Sequence, residues 1–226
     1  MSKNAIIGGL VAVILVLGGV YFYMSAPAGQ PSQTVQTPQD NSTPVQTVNQ
    51  GALTVVPAES KATYEINEKL QGKPVHVVGT TQAITGTASV DLTMPAKIQI
   101  GQIKLDATTF KTDIAKRDEN VKEMVLKSDK PQYQYITFTP TSISGVPANV
   151  EKGKDIPVTI VGDMTILGVT KSVAFTGTVN VGADNSLTVK AKTKLTYGDF
   201  GVTIPNFSFL SDIDKTVDLS VELVAR

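Results

Sequence analysis

The chain has 226 residues, with 20 basic and 20 acidic side chains, one histidine, and neither cysteine nor tryptophan. Without a thiol, disulfide scaffolds, thiolate metal sites and cysteine nucleophiles are excluded, and the balanced charge supplies no long-range field to gather nucleic acid or anionic surfaces. Aromatic content is only 6%, whereas valine, isoleucine and threonine abound; these β-branched residues suit a pleated, half-buried surface, so an all-β body is expected.

Residues 5–24 carry no charge and are rich in Ile, Leu, Val and Gly. At about 1.5 Å per residue they span about 30 Å, enough to cross a bilayer as a single helix. Lys3 precedes them and no charge follows until Asp40, which places the N-terminus in the cytoplasm and the body outside the cell membrane. Tyr21, Phe22 and Tyr23 sit where an interfacial belt would lie. A cleaved signal peptide is the alternative, because Ala26-Pro27-Ala28 imitates a small-residue cleavage site. Signal cores run only about 7 to 15 apolar residues, so residues 1–24 are read as a retained anchor, and either reading exports the body. A lipoprotein anchor is excluded, since no cysteine exists to carry the lipid.

Residues 25–52 are mostly Pro, Gln, Ser and Thr, a composition that buries too little apolar surface to offset the entropy of ordering, and they read as a disordered linker. As a random coil, residues 25–50 span roughly 28 Å. Asn41-Ser42-Thr43 and Asn206-Phe207-Ser208 match a glycosylation pattern, but patterns this short arise by chance and carry no weight.

Residues 53–226 form one domain by size. Its earlier strands fall at 64–67, 75–80, 83–93 and 97–106. In the last of these the apolar parity shifts from Ile98 and Ile100 to Ile103 and Leu105 beside Gly101, which reads as a β-bulge. Residues 112–127 break the β pattern, with Ile114, Val121, Met124 and Val125 at helical spacing and Asp118 as N-cap. A strand at 134–141 points Ile136 and Phe138 inward. Alternation is then strict: Ile156, Val158, Ile160, Gly162, Met164 and Ile166 share one face, as do Val173, Phe175, Gly177, Val179 and Val181. Gly168-Val169-Thr170 between them is short enough for a hairpin. Leu187, Val189, Ala191, Thr193, Leu195 and Tyr197 alternate likewise, followed by Val217, Leu219, Val221 and Leu223.

Eight or more strands, each greasy on one side, leave a two-sheet sandwich or a closed barrel. Strand length favours an antiparallel barrel, which at about eight strands is filled by its side chains or holds one small ligand.

Thr112-Asp113, Lys116-Arg117-Asp118-Glu119, Ile136-Thr137-Phe138, the run from Val161 to Lys171, and Asp199-Phe200-Gly201 resemble, in order, the YceI-like family over about residues 60–226. The resemblance implies an extended lipocalin-like β-barrel, exported in bacteria, that binds polyisoprenoids or other long-chain amphiphiles in its apolar interior and transports or sequesters them. It departs at three positions: Asn120 and Leu167 replace histidines of many relatives, and Tyr197 replaces an arginine, each change removing a possible cation near the ligand.

With the resemblance, Phe138, Val158, Ile160, Met164, Ile166, Phe175, Val179, Val189, Tyr197 and Phe200 become candidates to line a ligand tunnel. The alternative is that they simply pack against one another, as in an interaction module that binds no lipid. Arg117 is a head-group candidate at the barrel mouth, or with Asp118 it staples the helix. Lys171 is a second candidate, or a solvated edge charge. His76 has no second histidine or thiol with which to build a metal site and reads as an ordinary strand residue. No Gly-x-Ser-x-Gly elbow accompanies it, and Asp199-Phe200-Gly201 lacks the other motifs of a kinase. No cofactor and no catalysis are expected; a cofactor-free lipid-converting enzyme would need an acid or base pointing inward.

Overall fold

A computed structural model describes residues 51–93 and 96–226. The expected membrane segment, nearly all of the linker and the Asn41 sequon lie outside the described residues. Among the described residues, no helix is long and apolar enough to cross a membrane. The described residues belong to one compact body.

The body begins with a short strand β1 (Ala52–Thr54) and continues into the hairpin β2 (Lys61–Leu70) and β3 (Lys73–Thr81). After a break at Gln82-Ala83, β3 runs on as β4 (Ile84–Thr85) and β5 (Thr87–Asp91), whose return strands are β6 (Lys97–Ile100) and β7 (Ile103–Asp106). The remainder is β8 (Tyr135–Ser144), β9 (Asp155–Ile166), β10 (Val169–Val181), β11 (Leu187–Thr196), the two-residue β12 (Leu210–Ser211) and β13 (Thr216–Ala225). Every pairing is antiparallel, and the main sheet runs β2-β13-β11-β10-β9-β8-β7-β4, with β3 on the other side of β2. Because β4 continues β3, the wall returns to its starting stave. With β3 and β4 counted as one, the eight staves make a nearly closed barrel.

Closure differs at the two ends. At one end β1 joins the wall: it pairs with β5, Val55 bridges Ala225, and Thr54 exchanges backbone hydrogen bonds of 2.7 and 3.0 Å with Arg226. At the other, β3 has only β2 beside it until Thr80, which exchanges bonds of 2.8 and 2.9 Å with Lys111. The seam so left is spanned by the segment between β7 and β8, which carries a short helix α1 (Ala115–Asn120) and a π-helical turn (Val121–Val125).

The expected bulge is present. Ile84 faces Leu105 but Ala88 faces Ile100, so four steps on one strand match five on the other, across Gly86 and Gly101. Three expectations are corrected. The hairpin β9–β10 turns on Leu167-Gly168 alone, both at positive φ (51° and 77°), with Ile166 opposite Val169; a two-residue turn of this hand matches the twist of the strands. Asp118 is not the N-cap. It lies within α1, whose cap position is Ile114, and its carboxylate accepts from the backbone N–H and hydroxyl of Thr112 at 2.8 Å. The helix is also shorter than 112–127, and two of its apolar residues, Ile114 and Met124, are exposed.

The inward faces are those the alternation predicts, strictly so in β9, where Ile156 through Ile166 are buried at every second position. Near the β1 end, Val55, Ala88, Ile156, Val158, Val179, Val181, Leu187 and Ala225 pack together into a plug. Leu187, 1% exposed, sits in that plug. Leu187→Ala should lower unfolding stability by about 2–5 kcal/mol in urea titrations; a loss below about 1 kcal/mol would show that this end is not close-packed.

Candidate functional site

Beyond the plug the same apolar faces continue but do not meet. They surround a cavity of about 390 Å³ in the half of the barrel nearer the β2–β3 and β9–β10 turns, within the range of about 300–1,000 Å³ usual for small-molecule sites. Its deep end is set by Ile100, Ile103, Val189 and Leu223, and its walls by Ile66 and Val77 on one side and by Ile160, Met164 and Ile166 on the other. Phe138 and Phe175 meet edge-on at 5.1 Å and form part of the wall. Two glycines shape it. Gly79 faces Tyr64 across β2–β3, and a Cβ there would lie 2.2 Å from the ring; one at Gly162 would lie 2.7 Å from the ring of Phe138. Each lets an aromatic ring fold flat against the wall.

Of the residues singled out from sequence, Phe138, Ile160, Met164, Ile166, Phe175, Val189, Tyr197 and Arg117 line this cavity. Val158 and Val179 point inward as expected but belong to the plug. Phe200, 2% exposed, is buried in the 3-10 turn Tyr197–Phe200 and does not line the cavity. Lys171 shares the inward parity of β10 yet lies near the hairpin tip, exposed and away from the lining. His76 is held on the exposed face by Asn67 and Glu65, each at 2.9 Å, and among the described residues no cluster could hold a metal ion.

Alternation missed the mouth. Here the lining includes Ile114, Phe207, Phe209, Leu210 and Ile213; Ile114 and Phe209 are 38% and 45% exposed, and Phe207 stacks on Phe209 at 5.2 Å. The charged lining residues, Glu68, Lys116 and Arg117, lie here too, with Asn120. Glu68 had a signal: it occupies the same parity as Ala62, Tyr64, Ile66 and Leu70, so it places a charge on an inward face. Its carboxylate meets Arg117 at 3.3 Å, with the two side chains only 10% and 12% exposed, and Arg117 also donates to Asp113 at 2.5 Å. The pair ties α1 to β2 across the seam.

The hydroxyl of Tyr64 is buried without a hydrogen-bond partner, while its ring packs edge-on against Phe110 at 5.1 Å. Burial, then the Asp118 carboxylate, push its pKa up to about 12, with Arg117 opposing and Glu68 adding a little. A raised folded-state value makes stability fall as pH climbs from about 10, where the unfolded phenol ionises, through about 12. Tyr64→Phe should therefore leave stability at pH 7 unchanged or higher by up to about 1 kcal/mol, since only an unpaired hydroxyl is lost. It should also lose less than the parent between pH 9 and 11, read from urea midpoints. A clear loss at pH 7 would mean that the hydroxyl has a partner.

The fold has known counterparts. The structure of a polyisoprenoid binding domain from Saccharophagus degradans implicated in plant cell wall breakdown superposes with a TM-score of 0.60 at 15% identity, covering 77% of this chain and 97% of that one. Burkholderia cenocepacia BcnA superposes with a TM-score of 0.56 at 19% identity, covering 76% and 99%. No curated protein matches the chain significantly. The sequence profile of the YceI-like domain matches residues 53–225, so the chain belongs to the YceI-like family.

Proposed function

We propose that this protein is a lipid carrier: the cavity takes the long apolar tail of an amphiphile such as a polyisoprenoid, without converting it, and releases it reversibly. The observation that carries the reading is a cavity of about 390 Å³ that the barrel's own side chains leave unfilled, with apolar walls and its charged lining residues at the open end. The Saccharophagus relative, a polyisoprenoid binding domain by description, supports it. Sixteen methylenes taken from water are worth about 13 kcal/mol gross at about 0.8 each. Subtracting at least about 4 kcal/mol for lost freedom leaves up to about 9, near micromolar affinity, which suits pick-up and release.

The uncharged stretch 5–24 and the polar stretch behind it support a further part of the proposal: a single-pass anchor holds the domain on the extracytoplasmic face of the cell membrane, where the carrier works. Protease accessibility of the body in intact spheroplasts is the corresponding test, with complete protection counting against this placement.

Native mass spectrometry of the protein purified from its host should show bound apolar species of matching mass in the organic extract. Ala191 lines the cavity at mid-depth, so Ala191→Phe should fill it and weaken binding of a C20 isoprenoid by about tenfold or more. Stability should change by no more than about 1 kcal/mol, because the ring enters empty space. A protein that is empty as isolated and ignores added isoprenoids and fatty acids would overturn the carrier reading.

A further inference from the structure

The cations of the cavity lining, Lys116 and Arg117, are held in ion pairs. Arg117 lies between Glu68 and Asp113, Lys116 meets Glu119 at 2.5 Å, and Asp118, its side chain 9% exposed, lies 3.8 Å from Lys111. Four carboxylates thus face three cations, and Glu68, the acidic one in the cavity lining, is nearly buried. A phosphate drawn into the lining would give up water, find Lys116 and Arg117 already paired, and approach a desolvated carboxylate of its own sign, an arrangement that like-charge repulsion penalises. Beside them in the lining lies Asn120, uncharged, whose amide can exchange hydrogen bonds with a neutral group at no such cost.

Resting on the carrier reading, we infer that the site selects amphiphiles with an uncharged head group, an alcohol, amide or ester, and that Glu68 is the residue that rejects anionic ones. Glu68 does this by holding Arg117 neutralised and by placing its own negative charge where the head group must sit. Its carboxylate is therefore a specificity element and not only a tie between β2 and α1.

The test uses residues 47–226, which contain the described strand pairings and the core. A matched pair of ligands, geranylgeraniol and geranylgeranyl monophosphate, competes for the cavity against the uncharged probe N-phenylnaphthylamine. The parent protein should bind the alcohol about tenfold or more tightly than the phosphate, and Glu68→Gln should shrink that ratio by about tenfold through tighter phosphate binding. Asn120→Lys, which adds an unpaired cation to the lining without touching the ion pair, should shift the ratio in the same direction and serves if Glu68→Gln does not fold. A parent that binds the phosphate as tightly as the alcohol, a folded Glu68→Gln that leaves the ratio unmoved, or, where that variant does not fold, an Asn120→Lys that leaves it unmoved, overturns the inference while the carrier reading stands. Failure of both ligands to displace the probe, with no binding of their own, overturns the carrier reading itself.

Discussion

One constraint runs through the whole barrel: the inner faces of the staves are apolar apart from the charges at the mouth, yet their side chains do not fill all of the space they enclose. In the filled half, Leu187, Val179 and Val181 are close to fully buried and pack against Val55, Ala225 and Ala88. In the other half the walls diverge around the cavity, and the dispersion contacts a close-packed interior would make are forgone. A void of this kind is a standing cost to the empty protein, and any apolar occupant that enters it recovers part of that loss and stabilises the fold in proportion to its binding. Stability and ligand affinity are thereby linked through one feature of the packing.

The polar end is held by different physics. Arg117 and Glu68 are both nearly buried, and an ion pair so placed adds little net stability because its desolvation cost offsets its attraction. Its effect is positional. The guanidinium, shared between Glu68 of β2 and Asp113 ahead of the helix, fixes α1 over the seam that β3 leaves open, while Asp118 turns back on Thr112 to order the approach to the helix. Charge is thus used to set geometry at the rim, and the barrel wall is left to apolar burial.

How far the sequence anticipates this arrangement depends on which dimension is asked about. Parity along a strand reports which face a residue occupies, and in β9 through β11 that reading holds because one face is wet and the other dry. The parity slip at Gly101 likewise announces the bulge between β6 and β7. Parity says nothing of depth along the barrel axis. Val158 and Ile160 share a face two residues, about 7 Å, apart, yet the first packs into the plug and the second lines the cavity. Closure was equally hidden, because it rests on contacts distant in sequence, such as Val55 with Ala225. Phe207 and Phe209 stand outside any alternating strand, and only the folded loop brings them to the mouth.

The two halves also differ in what it takes to open them. The staves are long and continuously paired, with twelve Cα partners between β9 and β10 and ten between β11 and β13. The pieces around the mouth are small: a six-residue helix, a strand of two residues on the end of β2, and the loop behind it, which is fastened by Lys69 to Asp212 at 2.7 Å and Asn67 to Asp214 at 2.9 Å. These side-chain ties are exposed, and exposed ties of this sort contribute little each. Releasing them breaks no long ladder, so the free energy of opening the mouth is a small part of that of unfolding the barrel. On the proposed carrier function, entry and exit of a long tail would require movement only in the elements that carry Ile114, Phe207 and Phe209, while the plug and staves would keep the empty cavity from collapsing.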